Sequence, residues 1–355
     1  MQKLYNSVYN TLSSLSCEKY WKGFSQCTFA LYDSENVYFQ DKVIPVTKDF
    51  TGNRAIFYNN EYIAIWKVTN PRKEDPILLA ASLVHIMFHA YQKTCKESRF
   101  TDDLKVLDYP DNINNFSLKL LENETLVKVI ESADNKEKSQ LLTKFSSIRK
   151  QRCNLMGNVI NYEFLIESTD GLAEFIEAMA LKDLSPDLYK KRLSYYKRKV
   201  CHIKKSFFNI RKISCYTGAV LLLALQSSDI SYYHSIGTTK ESIYSLVESH
   251  INPEGLIYEN YANPDIEESL HDYQKYRKKT LNDFISCNLK EYDGTYKICG
   301  YDAMNMLKSG GYILNNTMII LRKNDDNKEI TIEGPVLVKL KDGSYNEISA
   351  YYTME

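Results

Sequence analysis

Several things are missing from this 355-residue chain. No charge is in excess: 45 lysines and arginines face 45 aspartates and glutamates, which removes the overall field that would draw a protein to nucleic acid or acidic lipid. No CxxC occurs among the eight cysteines, Cys17, Cys27, Cys95, Cys153, Cys201, Cys215, Cys287 and Cys299, and their spacings suit neither a zinc knuckle nor a disulfide framework. The longest apolar run, AVLLLAL at 219–225, falls well short of the roughly 20 residues that span a bilayer. The N-terminal MQKLYNSVYNTLSSLSC lacks the apolar stretch of a secretory signal. No P-loop, GxGxxG or GxSxG is present, so nucleotide binding and serine-hydrolase chemistry have no support. Glycine (13) and proline (8) are sparse, and neither an internal repeat nor a low-complexity linker interrupts the chain. Together these absences lead us to expect a cytoplasmic protein with reduced thiols, no membrane span and no nucleic-acid partner.

What is present is a composition with 44% hydrophobic and 25% charged residues, enough for a sizeable core. Tyrosine is abundant at 28, an excess to which no function attaches. Residues 1–22 carry Leu4, Tyr5, Val8, Tyr9, Leu12 and Leu15 at helical spacing. Residues 27–68 read as strands, with Asn59-Asn60 as a tight turn between RAIFY and EYIAIWKV. Glu74-Asp75-Pro76 marks a helix start, and the ILLAASLVHIMFHAYQ that follows is apolar on nearly every side, as in a buried helix. Residues 93–125 look polar and irregular. From 126 to 182 the pattern is helical and charged; 187–212 reads as a basic helix and 214–228 as an apolar one, with further helices at 239–249 and 264–284. After Asp293-Gly294 the segments TMIILRK, EITIEG, VLVKLKDG and EISAYYT alternate like strands, with Asp342-Gly343 as a hairpin turn.

The stretch with chemistry in it is LVHIMFHAYQ, residues 83–92. His85 and His89 lie one helical turn apart on one face and can converge on one ion. The plainer possibility is two core histidines, each bonded to a carbonyl, although both rings then need polar partners inside an apolar helix. Further on, Glu163, Glu167, Asp170, Glu174 and Glu177 recur at offsets of four, three, four and three. On a helix they form a stripe under about 90° wide. Most of that stripe reads as a solvated acidic face, but five acids repel one another unless something cationic lies opposite. A metal held by the two histidines would supply that charge for one or two of them. Gly171, inside the same helix, costs about 1 kcal/mol relative to alanine, so a close neighbour is expected there.

With LVHIMFHAYQ followed by STDGLAEFIEA, the chain resembles the gluzincin zinc metallopeptidases, over roughly residues 40–230. That family pairs HExxH with a downstream EGxAxYxE helix. The resemblance implies a zincin-like α+β domain over 1–290, built from a sheet (27–68), a motif helix (75–92) and a helical body (126–284). A small β-rich unit would follow at 291–355. It implies Zn²⁺ held by His85, His89 and Asp170, and a peptide or protein segment as the partner in the cleft. The family's sheet aligns substrate along its edge strand, for which EYIAIWKV is a candidate, its plainer role being an ordinary core strand, and Tyr216 in SCYTGAVLLLAL stands where an oxyanion-stabilising tyrosine would. Two departures bear on activity. The third ligand is the shorter aspartate, which needs the helices about an ångström closer. The general-base position holds Ile86, which has no proton-transfer chemistry, and general acid–base catalysis is worth ~10²–10⁴ in rate. The reading that follows is a metallopeptidase-like protein with a degenerate, catalytically silent site. Its rivals are a weak zinc peptidase with Glu167 or Glu174 as a displaced base, and a non-enzymatic peptide-binding module. The basic helix, with ten lysines and arginines between 190 and 212 and no acid, reads as a solvated face opposite the acidic helices.

Overall fold

The computed structural model describes residues 1–251, 261–323 and 328–355. It is an α+β molecule with an N-terminal sheet, a helical body and a C-terminal sheet. Helix α1 (Gln2–Ser13) buries Leu4, Tyr5, Val8 and Leu12, the apolar stripe of its sequence. Five strands follow: β1 (Phe29–Tyr32), β2 (Asn36–Tyr38), β3 (Val43–Pro45), β4 (Arg54–Tyr58) and β5 (Glu61–Lys67), in the spatial order β3-β2-β1-β5-β4. Asn59 and Asn60 join β4 to β5 with φ of 49° and 68°, the positive angles that a two-residue hairpin requires and asparagine tolerates.

This order decides for the plainer reading of EYIAIWKV, that of an ordinary core strand. EYIAIWKV is β5, and it lies inside the sheet, parallel to β1 on one side and antiparallel to β4 on the other. The edge is RAIFY, β4. Its free side can be read from the pairing. Ala64 of β5 donates its N–H to Thr28 O on the β1 side. Ala55, opposite Ala64, is therefore a non-hydrogen-bonded pair, and its own N–H and C=O point outward from the sheet.

Helix α2 (Pro76–Thr94) begins as its sequence indicates. Asp75 caps it, accepting from the N–H groups of Ile77 (2.8 Å) and Leu78 (3.3 Å), and Pro76 occupies the first turn. It packs between the sheet, through Phe29, Leu31, Ala55 and Ala64, and α5, through Leu172, Phe175, Ile176 and Met179. Helices α3 (Ile113–Glu131), α4 (Asn135–Met156), α5 (Asn161–Leu184), α6 (Pro186–Cys201) and α7 (Ile210–Ser227) make the body, followed by the short α8 (Ile243–Val247) and by α9 (Pro264–Ile285). Three expectations change here. Much of 93–125 is not irregular: α3 starts at Ile113, and it was hidden because it buries Asn115, Ser117, Lys119, Glu122 and Asn123 among its apolar residues, which erases the amphipathic period. The basic segment is not one helix, since α6 ends at Cys201, before a 3₁₀ turn at Lys205–Phe208 and the start of α7. The helix expected at 239–249 is shorter, α8 followed by a 3₁₀ turn.

The close neighbour anticipated at Gly171 is Gly218 of α7. A β-carbon on Gly171 would sit 2.7 Å from Gly218 Cα, and one on Gly218 would sit 2.6 Å from Glu167 Cα. The two helices cross in backbone contact. Gly218→Ala is therefore expected to cost more than about 3 kcal/mol, beyond ordinary overpacking because helix backbone has to move. Urea unfolding measures it, and a loss under 1 kcal/mol would show that the crossing yields easily.

The C-terminal sheet is antiparallel throughout, in the order β10-β9-β6-β12-β11-β8-β7. Its strands are β6 (Leu289–Tyr301), β7 (Met306–Ser309), β8 (Tyr312–Asn315), β9 (Met318–Lys323), β10 (Glu329–Glu333), β11 (Val336–Leu340) and β12 (Glu347–Met354). Strand β6 runs straight through Asp293-Gly294. Asp342-Gly343 lies in the loop joining the β11–β12 hairpin, with Gly343 at φ 75°. Among the described residues no helix is long and apolar enough to cross a membrane.

Candidate functional site

The acid stripe of α5 is not a solvated face. Glu163, Glu167 and Glu177 are buried, and Asp170 and Glu174, which lie between the last two, are half-buried. Basic side chains from four neighbouring helices neutralise the stripe. Lys119 and Arg152 pair with Glu163, the latter at 2.6 Å, and Tyr109 donates to the same carboxylate. Arg149 holds Glu167 through two nitrogens at 2.7 and 2.9 Å and also binds Glu122, which Arg152 meets at 2.9 Å. Further along, Arg211 pairs with Asp170 at 3.0 Å, and Arg192 pairs with Glu177 at 2.7 Å and with Glu174 at 3.6 Å. The positive charge that five acids demand thus comes from arginine and lysine.

The histidines lie where α2, α5 and the β4 edge meet. Their rings are 4.9 Å apart between centroids and nearly perpendicular. Both line a cleft of about 380 Å³, together with Ile86, Asp170 and Arg211 on the floor and Arg54, Ala55, Lys93 and Phe100 at the rim. Each ring has its Nδ1 turned inward. His89 Nδ1 is 2.8 Å from Gln92 Oε1, and Gln92 Nε2 donates to Thr169 O at 3.1 Å. That second bond fixes the amide orientation, so Oε1 accepts and His89 carries its proton on Nδ1. His85 Nδ1 lies 3.2 Å from Glu177 Oε2, close enough for an ion pair but not aligned as a hydrogen bond. Neither Nε2 has a hydrogen-bond partner among the described residues, and neither is sealed from solvent, so both face the cleft.

Charge separates the two rings. Burial opposes protonation of His85, but the carboxylates of Glu177, Glu174 and Asp170 hold its pKa above the usual histidine value. Burial and the charge of His85 push His89 down to about 4. Burial raises the Glu174 carboxyl, and Glu177 raises it further. Asp170, despite burial, is held low by Arg211.

The residues expected to act fare differently. His85, His89 and Asp170 border one cleft, but Asp170 is not a free ligand. Arg211 is clamped between it and Asp103, the latter at 2.9 Å. Among the described residues, the group whose ligand atoms lie within 4.8 Å of one another, and which could hold a metal ion, is His85, Glu174 and Glu177. An ion there would have to displace Arg192, and Glu174 and Glu177 already accept from Tyr196 (2.8 Å) and Ser82 (3.2 Å). Ile86 is buried at 4% exposure and lies on the cleft floor. Glu167 faces away from the cleft into the Arg149 network, which removes it as a displaced base. Glu174 is near His85 but is held by Tyr196. Tyr216 does not line the cleft; its hydroxyl meets that of Tyr195 at 3.1 Å. The sequence reading missed Gln92, Lys93 and Arg211. Gln92, three residues after His89 on the same helix, was the one with a local signal. Comparison with protein-family models, with curated proteins and with solved structures finds no match for this chain.

Proposed function

We propose that this protein is a metallopeptidase-like binding module: a zincin-like scaffold whose cleft takes an extended peptide segment, needs no metal to do so and does not cleave it. The observation that carries the reading is Arg211. It stands in the cleft beside two histidines and pairs with the carboxylate that would complete a zinc centre. Zinc needs that carboxylate free, and a guanidinium held next to it repels a divalent cation. The histidines are oriented as ligands usually are, each with its inner nitrogen engaged, but the three-residue set does not fit zinc while Arg211 holds Asp170. Ile86 supports the silent half of the reading, because an isoleucine on the cleft lining beside the two histidines cannot take a proton. The unpaired outer side of β4 supports the peptide half, since a strand edge pairs with an incoming strand through main-chain hydrogen bonds; at Ala55, itself buried, the incoming strand would displace Lys93 from the carbonyl.

The test is fluorescence anisotropy with dye-labelled extended peptides, run with EDTA and with added zinc, beside a hydrolysis assay on the same peptides. Binding indifferent to EDTA, no cleavage and no zinc-dependent rise in melting temperature are expected. Cleavage abolished by the chelator would overturn the proposal in favour of a zinc peptidase, with Glu174 as the first candidate for its base.

A further inference from the structure

The rim of the same cleft holds two cations without a carboxylate. Arg54, at the start of β4, bonds Thr51 Oγ1 at 2.9 Å, and among the described residues no acidic group pairs with it. Lys93, on the last turn of α2, donates to Ala55 O at 3.0 Å and lies 5.8 Å from the centre of the Tyr62 ring, again with no acidic partner among the described residues. Asp103 and Asp170, the carboxylates that line the cleft, are both committed to Arg211. The rim therefore carries two unneutralised positive charges beside the free strand edge.

The contact between Lys93 and Ala55 decides what can enter. Ala55 O is an outward-facing acceptor of the β4 edge, the group to which the N–H of an added strand would donate. A strand that pairs there takes the acceptor away from Lys93. The released ammonium then has no partner of comparable strength unless the strand brings one. Arg54, close enough to repel Lys93, is left facing the same space. A carboxylate on the strand can meet both cations only at the sheet edge, where Lys93 reaches round from the α2 face and Arg54, which leaves β4 on the opposite face from Ala55, lines the same cleft. An amide satisfies neither charge, and a lysine adds a third.

We infer that the segment taken by this cleft is acidic: an extended strand of a partner protein that pairs with the β4 edge and places an aspartate or glutamate side chain between Arg54 and Lys93. This rests on the reading of the cleft as a peptide-binding site. The exposed Phe57 on β4, whose ring meets Tyr62 at 5.2 Å between centroids, and the exposed Phe100 of the cleft lining offer apolar contact to the strand. Neither would distinguish one charge from another.

The experiment uses the full chain and three end-blocked, dye-labelled peptides, Val-Thr-Val-Xaa-Val-Thr-Val with Xaa as Glu, Gln or Lys, in EDTA at low salt. The Glu peptide is expected to bind ~10-fold more tightly than the Gln peptide, as two charge-assisted contacts at a partly exposed rim allow, and the Lys peptide least of all. In Lys93→Met and in Arg54→Gln the Glu-to-Gln ratio, measured within each variant, is expected to shrink to about two-fold or less. It should also shrink at high salt in the native protein. Equal affinity for the Glu and Gln peptides overturns the inference and leaves the cleft reading standing. The same holds if a Gln peptide gains affinity only when its C-terminal carboxylate is left free, because the acid is then a chain end. Failure of all these peptides to bind overturns the cleft reading and this inference with it.

Discussion

Replacing Arg149 by alanine is expected to cost about 3–5 kcal/mol of folding stability, enough to leave much of the chain unfolded at 37 °C. The guanidinium is fully buried and serves two carboxylates, Glu122 and Glu167, while its flat faces lie 4.7 Å from the ring centres of both Phe145 and Phe164 and 5.0 Å from that of Tyr244. Removing it leaves three carboxylates, those of Glu122, Glu163 and Glu167, with two cations, Lys119 and Arg152, in a space without water-exposed side chains. A buried charge without a partner is what makes such a deletion expensive; the intact pair need not stabilise much by itself. The double variant Arg149→Met/Glu167→Met restores the balance of two against two and is expected to regain most of the loss. Urea unfolding of both variants reads the difference, and an Arg149→Ala within 0.5 kcal/mol of the native protein would mean the network relaxes freely. Within the same network Glu163 and Glu122 make stability fall in acid, while Glu167, which burial raises, works the other way. Burial alone would raise Glu163, but Arg152 and Lys119 hold it at about 2, below the ordinary value of 4.5, and Glu122 is also lowered. A carboxyl with a depressed folded pKa contributes stability in full above 4.5, and loses it as the pH falls toward 2.

Arg211→Met should turn the cleft into a zinc site by freeing Asp170 to move toward the histidines, since while Arg211 holds it the three ligand atoms do not all lie within 4.8 Å of one another. The substitution keeps an unbranched stem, shorter than arginine, and removes the cation that holds Asp170, leaving a carboxylate in the same cleft as two open Nε2 atoms. Without metal the variant is expected to be less stable than the native protein, because Asp103 and Asp170 lose their shared partner. Zinc should restore that loss: saturating it at 100 times its dissociation constant adds about 2.7 kcal/mol to the folded state. Thermal unfolding with and without zinc, together with metal analysis of dialysed protein, checks it. The native protein serves as the contrast and should gain nothing. If the variant also ignores zinc, the histidines and Asp170 sit too far apart, and Arg211 is not what keeps the ion out. Ile86→Glu alone is expected to give no peptidase activity. The pair Ile86→Glu/Arg211→Met is the one in which zinc-dependent cleavage becomes chemically possible, since it supplies a base and a metal together.

Much of this protein is legible along its sequence. The hairpin at Asn59-Asn60, the cap at Asp75-Pro76, the α2 pattern that buries nearly every side, and the close approach at Gly171 are local facts, set by backbone angles, capping and side-chain volume. The spacing that puts His85 and His89 on one face is local too. Helix α3 could not be read that way, because its buried Lys119 and Glu122 look like surface residues until Arg149, Arg152 and Glu163 are seen to surround them. The acid stripe was visible, but not what neutralises it. A carboxylate on a helix carries no record of its partner, which arrives from a residue 41 positions away at Asp170 and 18 away at Glu167. For the same reason β4 could not be recognised as the edge strand, since the register that buries β5 and exposes β4 is set by pairing with β1. The sequence by itself determined that two histidines share a buried helix with an isoleucine where a base would stand. The tertiary structure decided that their facing aspartate answers to an arginine, because only packing brings α7 across α5 at the two glycines and carries Arg211 into the cleft.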